Sequence, residues 1–122
     1  MVVEIKNKSF LDSVKCAFRG LWVGFKSERN FKIYLINVLI TFPINLLVGF
    51  SLWQHIAYFI AVAGAFSAEY INTAIEMVCD SFTTDYNKSI KNIKDVAAAA
   101  VLCWGFIYYT LEIGLVIYHL VT

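Results

Sequence analysis

The sequence has too few charged residues for an ordinary soluble domain. Only 16% of its 122 residues are charged and 60% are hydrophobic, whereas average globular chains hold about 25% and about 45–50%. A compact monomer of this length could not bury so much apolar surface, so a bilayer or a large oligomer must cover it. The formal net charge of +1 also excludes a protein that binds nucleic acid through a strongly basic face.

Cysteine, proline and glycine are scarce as well. The three cysteines, Cys16, Cys79 and Cys103, form no CxxC or Cys/His pattern, which argues against a disulfide framework and a zinc site. Residues 1–30 contain no apolar run of the signal-peptide kind, so we expect the chain to enter the membrane through its mature segments. Because there is no Walker A sequence or glycine-rich phosphate loop, nucleotide chemistry would need a non-standard site.

Three long apolar segments follow the first 30 residues. Residues 33–53 carry no charge and, as a helix, would reach about 31 Å, the thickness of a hydrocarbon core. Residues 56–82 are also long enough to span, and residues 96–121 are apolar except for Glu112. We therefore expect an all-α integral membrane protein with three spans in one domain, residues 1–122. Gln54 and His55 would form the turn between the first two spans.

The basic residues predict how the chain is oriented. All ten lie either before the first predicted span or between the second and third. The positive-inside rule therefore places the N-terminus and the 83–95 loop in the cytoplasm, with His55 and the C-terminal Thr122 outside. Apolar residues at three- and four-residue steps over about residues 8–28 predict an amphipathic helix on the cytoplasmic membrane surface.

Polar side chains occupy one face of the second predicted span. At about 100° per residue they fall within a stripe about 100° wide: Glu69, Asn72, Thr73, Glu76 and Asp80. A carboxylate near mid-membrane costs at least about 2.5–3.5 kcal/mol, so several on one face need a partner or a purpose. Mg²⁺ is commonly held by one or two carboxylates with substrate phosphates, and an uncoordinated carboxylate could act as a general base. A buried network that only specifies helix assembly remains an alternative.

The most distinctive segments are KSERNFKIYL at 26–35, AEYINTAIEMVCD at 68–80 and KDVAAAAVL at 94–102. Together they resemble the prokaryotic diacylglycerol kinase family, including its undecaprenol kinase branch. The resemblance implies a homotrimer of three-span subunits in the bacterial plasma membrane. It also implies transfer of the γ-phosphoryl group of MgATP to the primary hydroxyl of a lipid. Undecaprenol is the preferred acceptor, because the ERNFK segment resembles Gram-positive-type members.

The resemblance also implies roles for individual residues. Glu69 would be the catalytic base, and Asn72 would orient the reacting groups. Glu28 and Glu76 would coordinate Mg²⁺. The nucleotide would be contacted by residues of the cytoplasmic loop and of the start of the third span: Asp85, Tyr86, Asn87, Lys94 and Asp95.

Simpler interpretations stay open beside these roles. Glu28 could be a solvated interfacial charge, and Lys94 with Asp95 could be a helix-start pair. Asp80 could cap a helix or pair with a cation. Glu112 has no predicted function and could be protonated, or bonded to Asn37, Asn45 or Tyr108.

Alternative functions also stay open. Diacylglycerol could be the acceptor, which would yield phosphatidic acid. A more distant alternative is a small oligomeric proton- or cation-coupled membrane protein, and another is a structural assembly subunit.

Overall fold

The computed structural model describes residues 9–122, which form four helices and no strand. The helices are α1 (Phe10–Ser27), α2 (Arg29–Val48), α3 (Leu52–Phe82) and α4 (Lys88–Val121). The predicted all-α architecture is confirmed for this part of the chain. By length and composition, α2 and α4 are each able to cross a membrane.

Helix α1 presents its apolar residues to the surroundings. It begins at a cap in which the Ser9 hydroxyl accepts a hydrogen bond from the Asp12 N–H at 3.2 Å. Phe10, Phe18 and Trp22 are 80%, 68% and 62% exposed, as expected of an amphipathic helix that rests on a membrane. The predicted range of this helix began at residue 8, which lies outside the described residues.

A single residue, Glu28, separates α1 from α2. Its backbone is extended (φ −124°, ψ 130°), and it is both the C-cap of α1 and the N-cap of α2. Because extended dihedral angles interrupt the helical hydrogen-bond ladder, one helix ends there and the next begins. The Glu28 side chain is thereby attached to a corner between two helices.

The turn between α2 and α3 lies earlier than predicted, so the prediction for Gln54 and His55 is wrong. Both belong to the first turn of α3. Helix α2 ends at Val48 because Gly49 adopts the left-handed conformation (φ 88°, ψ 41°), which favours glycine. Ser51 then opens α3 with a reciprocal capping box to Gln54, and such a cap stabilises a helix by about 0.5–2 kcal/mol. Because residues 33–53 are all uncharged, hydropathy alone did not indicate where α2 ends and α3 begins.

Helices α3 and α4 form a long antiparallel pair. Contacts at three levels show this: Gln54 with His119, Tyr58 with Tyr108, and Asp80 with Lys94. Gly64 lies so close to the Trp104 ring that a Cβ atom there would clash with it. Both helices are longer than the predicted spans, since α3 begins at Leu52 and α4 at Lys88.

The interior between α2, α3 and α4 contains polar side chains bonded to one another. The Thr41 hydroxyl lies 2.7 Å from the Tyr58 hydroxyl and 2.9 Å from the Tyr108 hydroxyl. Asn45, fully buried, donates from Nδ2 to Glu112 Oε2 at 3.0 Å. This confirms one of the partners expected for Glu112, and it supplies a donor that a buried carboxylate requires.

Candidate active site

Glu69 is a buried carboxylate with a donor on each oxygen. Its side chain is only 2% exposed. Asn30 Nδ2 donates to Oε1 at 3.3 Å, and Tyr34 Oη donates to Oε2 at 3.2 Å. Residues four apart lie on the same face of a helix, so the start of α2 presents both donors to α3 together. The Glu69 carboxylate is therefore fixed in orientation from a second helix.

One turn further along α3, Asn72 orients a second carboxylate. The Asn72 side chain is buried, and its Nδ2 donates to Glu76 Oε1 at 3.1 Å. Its other polar atom, Oδ1, is buried without a hydrogen-bond partner, as is the Thr73 hydroxyl. Buried polar groups are normally satisfied. These two unsatisfied oxygens therefore mark a place where a ligand could supply the missing partner.

Glu28 lies in the electrostatic field of the same carboxylates. Burial raises the pKa of the Glu28 carboxyl, and the like charge of Glu76 and of Glu69 raises it further. Carboxylates on the α1–α2 corner and on α3 thus accumulate negative charge in one region. A bound cation would relieve this repulsion.

The oxygen donors fit a metal ion that is shared with phosphate, but they do not form a complete metal cage. Within residues 9–122, no group of three His, Cys, Asp or Glu side chains is placed to hold a metal ion. Mg²⁺ typically binds one or two carboxylates and completes its coordination with water and substrate phosphates. Glu28 and Glu76 could supply such carboxylates, and the unpartnered Asn72 Oδ1 adds a neutral oxygen beside Glu76.

The two nucleotide candidates on α4, Lys94 and Asp95, are each engaged in an ion pair. Lys94 Nζ lies 2.5 Å from Asp80 Oδ1, and Lys91 Nζ lies 2.6 Å from Asp95 Oδ2. The pairing of Asp80 agrees with the simpler interpretation of that residue. Water screens exposed ion pairs of this kind, which makes them weak, so either Lys94 or Asp95 could exchange its partner for a ligand at little cost.

The other nucleotide candidates lie in the loop between α3 and α4. Asn87 caps α4, since its Oδ1 accepts a hydrogen bond from the Ile90 N–H at 3.1 Å. The Asp85 N–H donates to the Thr83 hydroxyl at 3.0 Å, and Tyr86 is 81% exposed. The structure thus assigns Asn87 a capping role and leaves the Tyr86 ring accessible.

Sequence reasoning missed Asn30 and Tyr34. Both lie within the segment KSERNFKIYL and are four residues apart, a spacing that could have identified a shared helical face. The sequence did not indicate that these two side chains contact Glu69, because Glu69 is 39 residues from Asn30 and 35 from Tyr34 in the chain.

Comparison with known proteins identifies the family of this chain. The sequence matches the family model described as prokaryotic diacylglycerol kinase over residues 15–118, a range that includes Glu28, Glu69, Asn72 and Glu76. The chain belongs to the prokaryotic diacylglycerol kinase family. Undecaprenol kinase of Bacillus subtilis (strain 168) is 34% identical over 109 residues, which are 89% of this chain and 87% of that protein.

As a member of the prokaryotic diacylglycerol kinase family, the chain is an ATP-dependent lipid kinase associated with the membrane. The family resemblance expected from three short sequence segments is confirmed.

Proposed function

We propose that the protein transfers the γ-phosphoryl group of MgATP to the primary hydroxyl of undecaprenol at the cytoplasmic face of the membrane. The observation that carries the proposal is the buried Glu69 carboxylate, which is fixed by two donors and lies one turn from Asn72. The similarity to a protein named undecaprenol kinase, which extends over 87% of that protein, supports this acceptor.

In this reaction Glu69 accepts the proton of the lipid hydroxyl. The alcohol oxygen forms a bond to the γ-phosphorus while the bond from that phosphorus to the β–γ bridging oxygen breaks, so ADP leaves. A positioned general base contributes about 10²–10⁴-fold to such a rate. Asn30 and Tyr34 act as positioning residues because they hold the carboxylate in one orientation.

Glu28 and Glu76 would hold the divalent cation, which we take to be Mg²⁺. When bound, this ion would neutralise negative charge on the phosphates. Asn72 orients Glu76 through the bond from Nδ2, and its free Oδ1 is available to the reacting groups.

The nucleotide would lie against the start of α4 and the loop before it. Lys94 would turn from Asp80 toward the phosphates, since a fixed positive charge there stabilises phosphoryl transfer. The adenosine would lie near Asp85, Tyr86 and Asn87, with Asp95 also in contact with the nucleotide.

The arrangement in the membrane is part of the proposal. Helices α2, α3 and α4 would cross the bilayer, with α1 on the cytoplasmic surface and the C-terminus outside. Three copies would form a homotrimer with active sites at the subunit boundaries.

The decisive experiment follows phosphate transfer from labelled ATP to undecaprenol and to diacylglycerol by the purified protein in mild detergent. We expect transfer to undecaprenol, and we expect Glu69→Gln to reduce kcat by at least about a hundredfold because the general base is lost. ATP binding should persist in that variant. Glu112→Gln is the matched control, since its carboxylate lies on α4 and bonds Asn45 instead.

Other outcomes of this transfer assay would change the proposed acceptor, the proposed base or the proposed function. Transfer to diacylglycerol in preference to undecaprenol would keep the mechanism and replace the acceptor. Glu69→Gln with more than a few per cent of wild-type activity would remove Glu69 as the base. No transfer to either lipid would favour the cation-coupled or assembly alternatives.

A further inference from the structure

A narrow, partly open slot lies between α2, α3 and α4, and the Tyr34 side chain separates it from Glu69. Its volume is about 70 Å³, and its walls include Val38, Val62, Phe66 and Tyr34. The hydroxyl of Tyr34 is the group that donates to Glu69 Oε2. The slot therefore starts one side chain away from the proposed base and extends among apolar residues.

The slot continues onto the outer surface of α4. Tyr34, Gly105 and Tyr109 line both the slot and a wider groove of about 740 Å³ that follows α4 from Val101 to Gly114. At about 1.5 Å per residue this groove extends for about 20 Å. An apolar path thus leads from the neighbourhood of Glu69 to the surface that would face the lipid.

Gly105 keeps this path open. A Cβ atom at Gly105 would meet no other atom within 4 Å, whereas a Cβ at Gly24 or Gly64 would clash with an aromatic ring. Those two glycines permit close packing between helices. The missing side chain at Gly105 instead leaves empty space beside the slot.

The polar groups at the slot are already bonded to each other. Asn37 Nδ2 donates to Tyr109 Oη at 3.1 Å, and Tyr108 Oη donates to Asn37 Oδ1 at 2.7 Å. Tyr109 accepts in this pair of bonds, so its O–H remains as a donor at one wall, while most of the other walls are apolar: Val38, Val62, Ala65 and Phe66. The slot is therefore suited to a hydrocarbon.

From this arrangement we infer that the slot and groove bind the prenyl chain of the lipid alcohol while its hydroxyl lies at Glu69. The inference rests on the proposed function and specifies its acceptor class. In a prenyl alcohol, the hydroxymethyl group is bonded to one end of a single hydrocarbon chain. Diacylglycerol carries two chains and polar esters beside its hydroxyl, so a narrow apolar slot selects the prenyl alcohol.

The test fills the slot and measures each substrate separately. In Gly105→Leu, we expect the KM for undecaprenol to rise at least about tenfold, because a single methylene group in a hydrophobic pocket changes discrimination by about 10–200-fold. The KM for ATP should stay at its wild-type value and the melting temperature should not fall, since the new side chain enters empty space and replaces a glycine within a helix. Gly20→Leu is the matched control, because Gly20 on α1 also has no neighbour within 4 Å.

Ala65→Leu narrows the same slot from α3 and decides the question if Gly105→Leu does not fold. We expect it to raise the KM for undecaprenol as well, and to lower the preference for undecaprenol over diacylglycerol. A wild-type KM for undecaprenol in the folded variants would overturn the slot inference while the proposed function stands. A wild-type protein that transfers nothing to undecaprenol would instead overturn the proposed function, and the inference with it.

Discussion

At the scale of the residue, the two oxygens of Glu69 are bound by donors from a different helix. Asn30 and Tyr34 lie at the start of α2, and each donates to one oxygen. Hydrogen bonds to a charged group contribute about 1.5–3 kcal/mol each, so together they can hold a buried carboxylate in one rotamer. Preorganisation of this kind is what a general base requires.

Tyr34→Phe removes one of these donors and keeps the ring that lines the slot. We expect kcat to fall about tenfold, as for the loss of one hydrogen bond to a charged group, with little change in the KM for ATP. Steady-state kinetics with undecaprenol and ATP measure both quantities. The control is Tyr118→Phe, at an exposed tyrosine near the far end of α4. A kcat equal to that of the wild type would show that Tyr34 does not position the base.

At the scale of the element, one glycine determines how closely α3 and α4 approach. Gly64 faces the ring of Trp104, and any Cβ atom would overlap it. Since α3 supplies Glu69 and α4 supplies Lys94, the separation of these helices also determines the distance between the base and a candidate phosphate ligand.

Gly64→Ala should therefore destabilise the fold although alanine favours helices. Overpacking of a close contact costs about 1–3 kcal/mol, whereas alanine in place of an exposed helical glycine stabilises by about 0.5–1 kcal/mol. Thermal unfolding in detergent would measure the difference. Gly114→Ala, which meets no atom within 4 Å, should be neutral or stabilising. Equal melting temperatures for the two variants would contradict the close contact at Gly64.

At the scale of the whole molecule, charge is separated along the helices. Lys88, Lys91 and Lys94 lie in the first two turns of α4, beside the end of α3 that carries Asp80. The opposite end of the α3–α4 pair holds Gln54 and His119 instead. This asymmetry is what the positive-inside rule uses to orient a protein in the membrane.

Cysteine labelling in intact cells tests the orientation. In a variant that lacks Cys16, Cys79 and Cys103, we expect Thr122→Cys to react with a membrane-impermeant thiol reagent, because the C-terminus would lie outside. Ser89→Cys, at an exposed position in the first turn of α4, should react only after the cells are permeabilised. Labelling of Ser89→Cys in intact cells would place the loop and the proposed active site outside the cell, which would contradict the predicted orientation.

The helical class, the polar stripe on α3 and the amphipathic character of α1 can all be predicted from the sequence alone. These properties are local, since they depend on the periodicity and hydropathy of neighbouring residues. The spacing of Glu69, Asn72 and Glu76 along one helix needs no tertiary contact. Local patterns did not locate the α2–α3 turn correctly, because the caps at Gly49 and Ser51 lay within an apolar run.

The contacts between side chains of different helices could be identified only from the packed structure. Asn30 and Tyr34 reach Glu69, and Asn45 reaches Glu112 across 67 residues of chain. Such pairs depend on the rotation and separation of packed helices, which no short segment encodes. The empty space beside Gly105 has the same origin, because a cavity is a property of the side chains that surround it and appears only when three helices are packed together.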